Sequence, residues 1–209
     1  MYIPAFTSVD LDAARSMIAD IATGWLVTGS ADASPAATLM PILWHDDRII
    51  AHMAKANPHW RSIAEGMPAL IIVTGPQAYV SPSWYPAKAE HGRVVPTWNY
   101  TAVHLIGRVY LRHDAEWKLR AVSSLTDRHE SSREHPWHVT DAPDDYIATQ
   151  LNAIVGIEML IDSVEAKAKL SQNRSTADQQ GVIDNLRNEP AQNSGPAEIA
   201  DAMTSNLGE

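Results

Sequence analysis

The residues best suited to chemistry lie in two neighbouring stretches, Tyr79-Val80-Ser81-Pro82-Ser83-Trp84-Tyr85-Pro86 and Val95-Pro96-Thr97-Trp98-Asn99-Tyr100. Prolines stiffen a set of large rings there. The hydroxyls of Ser81 and Ser83 and the amide of Asn99 give this apolar surface polar edges, the make-up of a pocket for a flat ring ligand. The same rings would also serve as a plug at the mouth of a β core, and composition leaves both uses open.

Two further segments suit the anionic end of such a ligand. His52-Met53-Ala54-Lys55-Ala56-Asn57-Pro58-His59-Trp60 runs from a strand end into a helix start. With Asn57 as cap and Pro58 at the first helical position, free backbone N–H groups and the Lys55 cation form a cradle for a phosphate. Without a ligand, it is an ordinary capped helix beside a solvated lysine. Lys167-Ala168-Lys169-Leu170-Ser171-Gln172-Asn173-Arg174 is a compact basic and amide-rich cluster in an acidic chain. Lys169 and Arg174 can neutralise a phosphate, while Ser171, Gln172 and Asn173 can hydrogen-bond a polar ring edge or a ribityl chain. Its alternative is a solvated capping turn.

Other chemistries lose their support. The stretch from His129-Glu130 to His135-Pro136-Trp137-His138 has Arg133 where His-Glu-x-x-His needs its second imidazole, so it reads as a polar surface loop and no metal is assigned. The chain has no cysteine, which removes disulfides, thiolate nucleophiles, iron–sulfur clusters and Cys-type zinc sites. There is no G-x-G-x-x-G, Walker loop or G-x-S-x-G elbow, and no Ser/His/acid set is identifiable by spacing. His104 and Glu158 lie on expected strands as buried partners or pocket-lining groups.

The elements that must position these residues are mostly strands. Asp10 precedes a helical stripe of Leu11, Ala14, Met17, Ile18 and Ile21, closed by Gly24. Strands are expected over Trp25 to Thr28, Ala37 to Trp44 and Arg48 to Met53, with a turn over 29–35. A short helix follows Asn57 and ends at Gly66. Ala69 to Thr74 reads as a strand buried on both faces and cut by Gly75-Pro76, with Gln77 to Val80 restarting the pairing. Thr97 to Leu111 is a long strand in which Gly107 marks a bend or bulge, and Ile154 to Val164 is the final strand. Helices are expected over Asp114 to Leu125 and Asp144 to Asn152. Many strands with few inserted helices, and no strict βα alternation, give a mainly β fold with peripheral helices, an antiparallel barrel or α+β arrangement.

Length and charge narrow the rest. The 209 residues, 45% hydrophobic, suffice for one core plus a small appendage. One barrel domain is expected over 1–174, followed over 175–209 by a helical tail that contains no aromatic residue and is broken at Pro190 and Pro196. The N-terminus has neither a basic nor an apolar leader region, and no apolar run approaches a membrane span, so a soluble cytoplasmic protein is expected. A net charge of −9 opposes any broad basic face for nucleic acid.

Taken in order, Met1-Tyr2-Ile3-Pro4 with Phe6, His52-x-Ala54-x-Ala56-Asn57-Pro58-x-Trp60, the two aromatic stretches with Val103-His104, Val155-Gly156-Ile157-Glu158 and Lys169-Leu170-Ser171-Gln172-Asn173 closely resemble the PaiB-like family of FMN-binding negative transcriptional regulators. The match runs from residue 1 to about 190. The resemblance implies an antiparallel split β-barrel like that of pyridoxamine-phosphate oxidases, working as a homodimer with FMN in two symmetric interface sites. His52, Lys55, Asn57, Trp60, Ser81, Ser83, Trp84, Trp98, Asn99, Lys169, Ser171, Gln172 and Asn173 are then the candidates to hold FMN. The family name implies repression of transcription through DNA or another regulatory partner, although the chain shows no helix-turn-helix. An FMN-dependent NAD(P)H oxidoreductase, or a pyridoxamine-phosphate-oxidase-like enzyme, would use the same cofactor. Haem binding or degradation on the same kind of barrel is the third class, drawing on the nine histidines.

Overall fold

The computed structural model describes residues 1–30, 33–188 and 194–207. Part of the expected turn over 29–35, and the expected break at Pro190, lie outside the described residues. Six strands, β1 (Thr23–Ser30), β2 (Ala33–His45), β3 (Arg48–Ala54), β4 (Met67–Val80), β5 (Thr97–Arg112) and β6 (Ile154–Lys169), form a closed barrel in the order β1-β2-β3-β6-β5-β4. The neighbours β1/β2, β1/β4, β2/β3 and β3/β6 pair antiparallel. Helices are α1 (Leu11–Ile21), α2 (Ala87–His91), α3 (Ala115–Glu130), α4 (Asp144–Asn152), α5 (Thr176–Asn188) and α6 (Gly195–Leu207).

Several elements differ from expectation for local reasons. β4 continues through Gly75-Pro76 instead of breaking there. Its pairing with β1 covers only Ala69 to Ile72, so the N–H that Pro76 lacks is not needed in that ladder. The short helix expected after Asn57 is a 3-10 helix, Pro58–Ser62, capped by Asn57 as expected but ending before Gly66. β6 runs on to Lys169, which places Lys167 and Lys169 within the strand. Gly107 is required by close approach: a Cβ there would lie 1.9 Å from the Leu160 carbonyl oxygen of β6.

The chain divides into two compact units, one of residues 15–73 and 104–164, the other of residues 1–14, 74–103 and 165–209. The first has a core in which alternate residues of each strand point inward, among them Leu26, Ile42, Ile49, Ile71, Leu105 and Ile157, all at most 2% exposed. On the other face of β3 and β6, α3 packs so closely that a Cβ on Gly156 would meet the Trp117 ring at 2.2 Å. Below it Glu158, buried, binds Arg48 Nη1 at 3.1 Å and Arg112 Nε at 3.0 Å. The second unit packs Val182, Ile183 and Leu186 of α5 and Ile199 and Met203 of α6 onto Ala78 and Val80 of β4.

Candidate functional site

In the first unit, the alternation of β3 turns His52 outward, opposite Gly156 of β6. Its side chain lines a cavity of about 270 Å³ whose walls are Trp137, Tyr146, Val122, Ile147 and Leu151, from α3, α4 and the segment between them. Nδ1 of His52 is buried and has no hydrogen-bond partner. Burial also lowers the imidazole pKa from its ordinary value, so the ring is neutral at physiological pH. A buried ring nitrogen without a partner is destabilising by about 1–3 kcal/mol, and a polar ligand edge relieves that cost.

A lysine pair lies beside the same helices. Lys118 of α3 is 3% exposed and donates from Nζ to the carbonyl oxygen of Leu151, a cavity residue, at 2.5 Å. Its pKa is lowered by burial first and then by the positive charge of Lys55, against the opposing pull of Asp114. An anion placed at the two ammonium groups would reverse that repulsion. Sequence reasoning named Lys55 and missed Lys118, Trp137 and Tyr146. The signal for Lys118 was its position on the stripe Lys118, Ala121, Leu125, which α3 buries.

The remaining candidates of this unit hold the turn together. Asn57 Oδ1 accepts the N–H of His59 at 3.0 Å, and its Nδ2 donates to Thr38 Oγ1 at 3.1 Å. One N–H expected for a phosphate is therefore already taken. Trp60 Nε1 donates to the Lys55 carbonyl at 3.0 Å and fixes the path of the Lys55 backbone. His59 is buried between Thr28 Oγ1, 2.9 Å from Nε2, and Thr38 Oγ1, 2.8 Å from Nδ1.

The other unit carries the aromatic stretches and the basic cluster. Ser81 caps the 3-10 turn Pro82–Trp84, with its Oγ 2.6 Å from that of Ser83. Trp84 is half-buried against the α5/α6 core. Trp98 is exposed and meets Tyr79 edge to face at 6.0 Å. Asn99, fully buried, donates to Ser171 Oγ and to Met203 Sδ. Gln172 folds back on its own turn, accepting from Leu170 N and donating to Ala168 O, while Asn173 is exposed. Lys169 Nζ donates to Thr97 Oγ1 and to the Trp98 carbonyl oxygen. Burial lowers its pKa, Lys167 and Arg174 lower it further, and Tyr100 opposes them. The structure thus gathers His52, Lys55, Asn57 and Trp60 in one unit, and the other nine candidates in the second.

The sequence of residues 1–163 matches the family model described as "Putative FMN-binding domain". The chain is also 31% identical over 212 residues to "Protease synthase and sporulation protein PAI 2" of Bacillus subtilis, an alignment covering 99% of this chain and 98% of that one. This chain belongs to the PaiB-like family of FMN-binding proteins. Among solved structures, this PaiB-like chain is similar to the FAD and heme binding protein of Mycobacterium smegmatis, at TM-score 0.59 and 19% identity, covering 78% of this chain and 73% of that one. It is also similar to the flavocytochrome Anf3 of Azotobacter vinelandii, at TM-score 0.56 and 15% identity, covering 76% and 67%. At such identities the likeness establishes the split-barrel fold alone. Among the described residues no helix is long and apolar enough to cross a membrane, and no group of three or more His, Cys, Asp or Glu side chains could hold a metal ion.

Proposed function

We propose that this PaiB-like protein is a homodimer that binds FMN with the flavin ring in the His52 cavity and the phosphate near Lys55 and Lys118, and that it acts as a regulator of the PaiB type. The observation that carries this reading is the partnerless Nδ1 of His52 in a cavity of about 270 Å³ with aromatic walls. A cavity of roughly 150 Å³ takes one benzene, so this one takes about two fused rings, and the third ring of the flavin would extend beyond its walls. His52, neutral, offers a hydrogen bond to the polar edge of the ring. Bound FMN would supply electron transfer, and the residues of this chain bind and orient it.

A second copy of the chain is the partner of the outer barrel face where Trp25 of β1 lies opposite Leu39 of β2, the two 43% and 51% exposed, and opposite Ile72 of β4. An acidic chain favours regulation through flavin-dependent partner contacts over a broad DNA-binding face. Such a switch requires the partner to bind the flavin-loaded and flavin-free states with different affinity.

The test uses three ligands. Ala142→Trp, which fills the cavity, is expected to weaken FMN, riboflavin and the bare ring compound lumichrome alike, by about tenfold or more. Undiminished lumichrome binding would remove the ring from this cavity. The basic segment is tested by itself: with the phosphate at Lys55 and Lys118, Lys169→Ala is expected to weaken FMN and riboflavin each by less than about threefold, and a loss of about tenfold for FMN alone would move the phosphate to the basic segment.

A further inference from the structure

A different cavity, about 190 Å³ in volume, lies between α1, the end of β2 and α3, and two arginines flank it. Its floor is apolar, made by Ile18, Ala22, Ile42 and Leu43, and its wall is Trp44. Arg15 stacks on Trp44, with Cζ 4.3 Å from the ring centroid, and is held there by a 2.7 Å hydrogen bond from Nη2 to the Asp46 carbonyl oxygen. The Trp44 Nε1 donates to the same oxygen at 3.0 Å. Arg128 is anchored in the same manner, Nη2 donating to the Ala19 carbonyl oxygen at 2.7 Å.

Both guanidiniums are therefore fixed by backbone carbonyls, while neither forms an ion pair among the described residues. The nearby Asp46 carboxylate is engaged by His45, and that of Asp127 by His138. In a chain of net charge −9, two positioned arginines without carboxylate partners are unusual company for an apolar cavity. Each keeps most of its five N–H donors, in the planar fork that suits a carboxylate. The floor and the Trp44 wall accept a flat apolar body, and the volume allows one ring with a short substituent.

We propose that this cavity is a binding site for a small aromatic carboxylate, with Arg15 and Arg128 holding the carboxylate and Trp44 and the floor holding the ring. It is separate from the His52 cavity, sharing no lining residue with it, and the inference stands whether or not flavin binds there.

The test is a titration of the full chain with benzoate, and with its neutral isostere benzamide, followed at the Trp44 indole N–H by NMR. Saturable benzoate binding at about 1 mM or tighter is expected. Benzamide is expected to bind at least about tenfold more weakly, since it cannot form the charged bidentate pair. The R15Q/R128Q double variant is expected to lose benzoate binding by at least tenfold while keeping its FMN affinity. Equal binding of benzoate and benzamide to the unaltered protein, shifts that never reach the Trp44 indole, or full benzoate affinity in the double variant would each overturn the site. The first comparison needs no variant to fold.

Discussion

Asn99 and Ser171, 72 residues apart in sequence, are joined through both ends of the Asn99 amide: Nδ2 lies 3.0 Å, and Oδ1 3.2 Å, from the Ser171 hydroxyl. Both residues are buried, and Ser171 holds a left-handed backbone with φ of 64° to keep the contact. The pair fastens the turn after β6 to the start of β5, and Met203 of α6 closes the arrangement from the third side. Two of the candidate flavin residues thus have a demonstrable structural role within their own unit.

Asn99→Ala is expected to lower the unfolding free energy by about 2 kcal/mol, because it strands the Ser171 hydroxyl in a buried position. The double variant with Ser171→Ala should cost less than the sum of the two single changes, by about 1 kcal/mol. Urea unfolding of the four proteins of this cycle measures the coupling. Strict additivity would mean the two side chains do not act together.

Gly181 on α5 gives a prediction opposite to helix propensity. Replacing a helical glycine by alanine ordinarily stabilises by up to about 1 kcal/mol. A Cβ at Gly181 would lie 2.2 Å from the Trp84 carbonyl oxygen, so Gly181→Ala is expected to lower the midpoint of thermal unfolding. A raised midpoint would show that α5 does not hold this close approach to Trp84.

Stability of the flavin-free protein should fall on mild acidification. His52 and His59 both have pKa values lowered by burial from the ordinary 6.5. The unfolded chain therefore takes up protons first, and the contribution of these neutral imidazoles is full above about pH 6.5 and is lost as pH drops toward their native values. Unfolding free energies at pH 7.5 and pH 5.5 test this. His59→Gln should flatten the slope between those two values, though at reduced overall stability, since the Thr28 and Thr38 hydroxyls lose the ring that bridges them.

The phosphate assignment predicts a ligand-dependent defect. Lys118→Met keeps an apolar stem on the buried face of α3 and removes the charge. FMN is expected to weaken by about tenfold and riboflavin by less than about threefold. Comparable losses for both ligands would assign Lys118 to holding α4 through the Leu151 carbonyl.

Most of the barrel was legible in the sequence because its strands alternate apolar and polar residues and its turns carry Gly, Pro, Asn and Asp. Tertiary pairing decided the exceptions: Pro76 reads as a break, yet it falls beyond the β1-paired part of β4. The candidate site was legible only in part. His52 and Lys55 stand in a recognisable segment, whereas Lys118 reads as a solvated lysine until α3 packs it inward beside Leu151. Likewise Trp137 and Tyr146 lie in a polar stretch whose sequence gives no periodicity to place them against His52. Nor do the contacts of Asn99 and Ser171 follow from spacing, since they join segments 72 residues apart.

The most direct test of the account is the absorbance spectrum of the purified protein after addition of FMN and gel filtration, with bound flavin counted per chain. The account predicts that a dimer-sized species retains about one FMN per chain, and that Ala142→Trp elutes without it. Elution of a folded dimer free of flavin, or a haem Soret band in its place, would contradict it.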